Sequence, residues 1–121
     1  MDKLQKDKCM LMRVLLLSGS LLTCFGAQAK EWLIDVRTAE EFSVEHAAEA
    51  TNIEFQQIVP EVSKLEINKQ ERILLYCRSG RRAEFAREAL LHHGYKNVIN
   101  LGSLAEAKNR IRSKPSKANI P

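Results

Sequence analysis

Cysteine is almost missing from this chain. Three occur in 121 residues, Cys9, Cys24 and Cys77, and the first two fall in a segment that reads as a leader. With one cysteine left beyond it, an internal disulfide and a zinc site of the cysteine-rich kind are both excluded. A long apolar run is lacking as well: Val14 to Phe25 is twelve residues and contains Ser18, Gly19, Ser20 and Thr23, short of the roughly 20 that span a bilayer. Internal repeats and substantial low-complexity segments are absent. Charge of one sign is also in short supply. Setting residues 1–29 aside removes four of the 19 basic and two of the 15 acidic residues and leaves a net charge of +2. That balance calls for neither nucleic acid nor a membrane surface as partner.

What is present at the start is ordered like a secretory signal. Lys3, Lys6, Lys8 and Arg13 precede the apolar stretch, and Ala27-Gln28-Ala29 has the small-x-small pattern of a leader-peptidase site. A lipoprotein reading through Leu21-Leu22-Thr23-Cys24 is weaker, because Thr23 is a poor residue before a lipidated cysteine. The expected organisation is a cleaved signal peptide over 1–29, one domain over 30–111 and a loose tail over 112–121, with a periplasmic location and no stable membrane insertion after cleavage. The 92 residues after the leader make one small domain, able to bury a little over roughly 60% of its unfolded surface.

The informative stretch is Ile73-Leu74-Leu75-Tyr76-Cys77-Arg78-Ser79-Gly80-Arg81-Arg82. The apolar start reads as a strand buried on both faces, and Ala83, Phe85, Ala86, Ala89 and Leu90 then recur at helical spacing. Cys77 therefore sits on a strand-loop-helix turn. Loop amides, a helix start and three arginines all favour negative charge there, so a sulfur nucleophile and an anion-binding site coincide. A buried cysteine acting only as a small apolar filler is not normally followed by Arg-Ser-Gly-Arg-Arg.

The remainder alternates short strands and helices, as a mostly parallel α/β sheet requires. Strands are expected at Trp32–Val36, Ala50–Ile53, Ile73–Tyr76 and Asn97–Leu101. Thr38 with Glu41 and Ser103 with Glu106 form capping boxes, the second opening a helix to about Ile111. Pro60 is placed near the start of a helix carrying Ile58, Val62 and Leu65, and Gly94 suits the left-handed position past a helix end. Asp35 and Arg37 close the first strand on the sheet edge that carries Cys77, where Asp35 either orients an inward arginine or belongs to a purely organising ion pair. Arg87, a full turn into the loop helix, reads as solvent-facing, and His46 as structural rather than a general base.

Leu33-Ile34-Asp35-Val36-Arg37, Glu41-Phe42, His46 with Ala50 and Asn52-Ile53, the cysteine loop, and Gly94-Tyr95 with Asn97-Val98 together resemble the rhodanese homology domain. The chain is more narrowly similar to small exported single-domain thiosulfate sulfurtransferases of the phage-shock type. The resemblance runs from Trp32 to about Ala107. It implies a central parallel sheet flanked by helices, with the cysteine loop at the carboxyl edge of a central strand. It also implies a persulfide on Cys77, with Arg78, Ser79, Gly80, Arg81 and Arg82 binding substrate and persulfide, supported by Asp35 and Arg37. No cofactor or metal is expected. The expected partners are thiosulfate and a small thiol, cyanide or a protein sulfur acceptor, but no nucleic acid. Three positions depart from the pattern: Glu49 where glycine is common, Ala83 where serine is frequent, and Ser103 in place of the second glycine after Leu101.

Two other classes use similar parts. A dual-specificity-type phosphatase or arsenate reductase also pairs a cysteine thiolate with an arginine, but its loop is one residue longer than the four between Cys77 and Arg82. A rhodanese-like redox or partner-binding module with little turnover is the other; retention of Cys77 argues against a dead domain but does not separate a fast enzyme from a slow sulfur carrier.

Overall fold

A computed structural model describes residues 30–114. The leader with Cys9 and Cys24, and the tail from residue 115, lie outside the described residues. Four strands, β1 (Glu31–Asp35), β2 (Thr51–Asn52), β3 (Arg72–Cys77) and β4 (Asn97–Ser103), form one sheet in the order β2-β1-β3-β4, with every pairing parallel. Helices α1 (Ala39–Val44), α2 (Ile58–Lys64), α3 (Arg81–His92) and α4 (Leu104–Ser113) connect and flank them, with a 3-10 turn at Phe55–Gln57 before α2.

Because strand side chains alternate, β3 feeds two cores at once. Ile73, Leu75 and Cys77 join Ile34, Val62, Ala86 and Leu90 on the face covered by α2 and α3, whereas Tyr76 packs with Ala47 and Ala107 on the opposite face. Burying one strand on both sides fixes its register, and with it the place where the chain leaves the sheet. That exit is Cys77.

Local signals are realised at the ends of the elements. Both capping boxes form, Thr38 with Glu41 at α1 and Ser103 with Glu106 at α4. Pro60 lies in the first turn of α2, and Gly94, at φ +91°, follows α3. Several boundaries move: β1 is Glu31–Asp35 rather than Trp32–Val36, β2 only Thr51–Asn52 rather than Ala50–Ile53, and β3 gains Arg72 and Cys77 at its ends. Strand β4 reaches Ser103 rather than Leu101, because a bulge lets it follow β3 to its end. Helix α4 takes Arg112 and Ser113 from the segment expected to be loose; basic residues in a last helical turn face favourable carbonyl dipoles, and Lys114 beyond it pairs with Glu31. Arg87 does not face solvent alone: its Nε donates to Val98 O at 3.1 Å and its Nη1 reaches Glu84 at 2.9 Å. Packing of α3 on β4 brings the carbonyl within reach.

Candidate active site

Strand β3 ends at Cys77 and α3 begins at Arg81, so Arg78, Ser79 and Gly80 make the entire turn. Gly80 has φ +91°, and a Cβ on it would lie 3.1 Å from Gly102 Cα. Glycine is needed there both for the backbone conformation and for the close approach. The Gly80 N–H donates to Cys77 Sγ at 2.9 Å, so a negative sulfur meets an oriented backbone dipole. Cys77 is fully buried, on the α2/α3 face of the sheet.

The three loop arginines have different surroundings. Arg78 and Arg81 are exposed and Arg82 is half-buried. Among the described residues, ion pairs engage Arg82 but neither Arg78 nor Arg81. Arg82 grips Glu41 with two parallel bonds, Nη1 to Oε2 at 2.9 Å and Nη2 to Oε1 at 3.1 Å. The Arg82 guanidinium, followed by the Thr38 backbone N–H, holds the Glu41 carboxyl down at about 2 from an ordinary 4.5. Glu41 thus serves twice, closing the α1 capping box and orienting Arg82. Arg82 in turn is pushed up, first by Glu41 and to a smaller extent by Cys77, so the cation lies within electrostatic reach of the sulfur. The second role of Glu41 has no local signal, because its partner lies 41 positions away in the chain.

Asp35 and Arg37 form a buried pair on the neighbouring strand end. The Asp35 carboxylate accepts from the Arg37 backbone N–H at 2.9 Å, from Nε at 3.0 Å and from Nη2 at 2.7 Å. The same Nη2 donates to Glu45 O at 2.6 Å, and the guanidinium lies 5.8 Å from the Tyr76 ring centroid. The arginine that Asp35 orients is therefore Arg37, not one of the loop. Burial, with Asp35 assisting, pushes the Tyr76 phenol up to about 12 against the opposing effect of its bond from Ala47 N–H, so Tyr76 is a neutral core residue on the sheet face opposite Cys77. His46 stacks on Phe42 at 3.8 Å between centroids, and its Nδ1 is 2.8 Å from Phe42 O.

A groove of about 560 Å³ opens on this sheet edge, lined by Arg37, Glu41, Val44, Arg78, Leu104 and Lys108 among others. Its carboxylates Glu41 and Glu45 are each paired, with Arg82 and Lys108, which among the described residues leaves Arg78 as its uncompensated cation. The three departures from the pattern each have a place. Glu49 takes φ +68°, a left-handed backbone costing a non-glycine residue roughly 1 kcal/mol. Ser103 supplies the α4 cap. Ala83 is fully buried in the core, so a hydroxyl there would need a buried partner.

Comparison with known proteins agrees with this geometry. The profile of the family described as "Rhodanese-like domain" matches residues 24–109. Thiosulfate sulfurtransferase PspE of Escherichia coli (strain K12) is 32% identical over 91 residues, covering 75% of this chain and 88% of that protein. A putative sulfur carrier protein, YrkF of Bacillus subtilis (strain 168), is 32% identical over 69 residues, 57% of this chain and 36% of that one. The tRNA uridine(34) hydroxylase of Photorhabdus laumondii is 34% identical over 84 residues, which cover 65% of this chain and only 24% of the hydroxylase. Among solved structures, "rhodanese with anions from E. coli" superposes with a TM-score of 0.61 at 32% identity, covering 64% of this chain and 91% of that one. With the parallel sheet, the cysteine turn at its carboxyl edge and a family match over most of its length, the chain belongs to the rhodanese-like domain family.

Proposed function

We propose that this protein is a thiosulfate sulfurtransferase that moves sulfane sulfur to a thiophilic acceptor through a persulfide on Cys77. The observation that carries the reading is the Gly80 N–H donating to Cys77 Sγ at 2.9 Å, in a turn flanked by arginines. The Cys77 thiolate attacks the outer sulfur of thiosulfate; a new S–S bond forms, the bond to the oxidised sulfur breaks, and its electron pair leaves with sulfite. An acceptor thiolate or cyanide then attacks the outer sulfur of the persulfide, and Cys77 is released as thiolate. Both steps are displacements at sulfur, so no cofactor takes part. The loop dipoles and Arg82 stabilise the charge that moves between donor, nucleophile and leaving group. The 560 Å³ groove beside Arg78 has room for an acceptor larger than thiosulfate.

Intact mass analysis after thiosulfate treatment tests this directly. One added sulfur per chain, located on the Cys77 peptide and removed by cyanide or a small thiol, is the expected result. A loaded protein that no small acceptor discharges would make it a sulfur carrier instead. Hydrolysis of aryl phosphates without sulfur uptake would overturn the reading in favour of a phosphatase. We further propose export, resting on the leader-like residues 1–29 and implying a mature amino terminus at Lys30.

Arg82→Ala is expected to lower turnover per thiosulfate concentration by one to two orders of magnitude. It removes charge-assisted bonds of about 1.5–3 kcal/mol and also leaves the Glu41 carboxylate unpaired beside a dianion. Adding Glu41→Gln to that variant should recover part of the loss. Lysine at 82 should recover little, lacking the planar fork that fits Glu41. Arg72, at the opposite end of β3, is the control, and equal small effects at Arg72 and Arg82 would remove Arg82 from the mechanism.

A further inference from the structure

We infer that Asn100 is a positioning residue for the sulfur nucleophile, acting through the Gly80 residue; the inference rests on the sulfurtransferase reading. It begins with an irregularity in the sheet. Leu75 pairs with Asn100 but Cys77 pairs with Ser103, so β4 carries one extra residue opposite the end of β3. Gly102 absorbs it at φ +91°. Bulges of this kind bend a strand and re-aim a side chain. Here the side chain is Asn100, pinned from below by the bulge itself: its Oδ1 accepts from Gly102 N at 2.9 Å, an Asx-type turn.

The other end of the same amide reaches the cysteine turn. Asn100 Nδ2 donates to Gly80 O at 2.8 Å and to Glu84 Oε2 at 3.1 Å. Only this orientation satisfies the three neighbours, two acceptors against the NH2 and one donor against the oxygen. Gly80 O already accepts the first backbone bond of α3, from Glu84 N at 3.0 Å, so helix start alone does not require Asn100. A second donor on that carbonyl restrains the residue whose own N–H points at Cys77 Sγ. Restraint matters because glycine is the residue whose backbone is otherwise least confined. Gly80 also lies close against Gly102, so the bulge positions the turn both by contact and through Asn100. The sulfur's hydrogen bond is thereby referenced to the rigid sheet rather than to a three-residue loop.

The test is single-turnover sulfur uptake, with steady-state kinetics and the rate of Cys77 alkylation by a neutral reagent at fixed pH, each normalised to the folded fraction. Asn100→Asp keeps the acceptor for Gly102 N but loses the donor to Gly80 O, and Asn100→Ala loses both. Uptake and alkylation should each fall about tenfold in both variants, the equivalent of one hydrogen bond. KM for thiosulfate should stay within twofold, because Asn100 is assigned no contact with the anion. Glu84→Gln, which leaves the Gly80 bond in place, should change uptake by less than twofold. If Asn100→Ala fails to fold, Asn100→Asp carries the test. Wild-type uptake and alkylation in the Asn100 variants, or an equal loss in Glu84→Gln, would overturn the positioning role. If the parent protein takes up no sulfur, the sulfurtransferase reading fails, while the alkylation rates still decide whether Asn100 orients the Gly80 N–H.

Discussion

Cys77→Ser is expected to take up no sulfur from thiosulfate and to lose all measurable turnover, while its thermal midpoint stays within about 8 °C of the parent. The two halves have separate causes. The fold survives because serine is nearly the size of cysteine and its Oγ inherits the Gly80 N–H, so the new buried hydroxyl is not orphaned. An imperfect exchange of this kind costs about 1 kcal/mol, or roughly 4–8 °C in a domain of this size. Chemistry fails because the intermediate is a sulfur–sulfur bond to a nucleophile that ionises readily, and a serine hydroxyl offers neither property. Residual sulfur on the variant would have to be mapped. On Cys9 or Cys24 it reports retention of the leader, and on no cysteine at all it would end the persulfide mechanism.

The strand, the turn and the helix around Cys77 are legible from sequence because each is set by neighbours along the chain. A two-face apolar run, a glycine that tolerates φ +91° and apolar residues at helical spacing leave little choice, and the capping boxes at Thr38 and Ser103 are four-residue signals. The environment of the arginines is not legible in this way. Arg82 meets Glu41 only because β1 lies beside β3, and Asn100 meets Gly80 only because β4 lies on the other side. That lateral order is a property of the whole sheet, which alternation along one strand does not specify. Arg87 is misplaced for the same reason: the Val98 carbonyl that it reaches belongs to the neighbouring strand. The bulge that aims Asn100 leaves one faint trace, Gly102, and a glycine near a strand end has several readings.

Asp35→Ala is expected to destabilise the domain by about 3–5 kcal/mol, the usual consequence of removing one partner of a buried pair. Asp35 is fully buried and Arg37 is 7% exposed, so the substitution strands a guanidinium whose recorded polar partner then is the Glu45 carbonyl. Set against the roughly 5–15 kcal/mol that holds a domain together, this lowers the thermal midpoint by tens of degrees. A catalytic loss measured at 37 °C would then report unfolding and not chemistry. Two further measurements separate them. At low temperature, in the fraction that remains folded, Cys77 should still load sulfur at a rate close to the parent's, because Asp35 orients Arg37 and touches no loop residue in the bonds that it accepts. Replacing both partners, Asp35→Ala with Arg37→Leu, should recover part of the stability, since the cost lies in the uncompensated charge rather than in the absence of the pair. A fall of only 1–2 °C in Asp35→Ala would mean that water reaches the Arg37 guanidinium from the groove. Normal stability with lost sulfur uptake would instead move Asp35 into the chemistry.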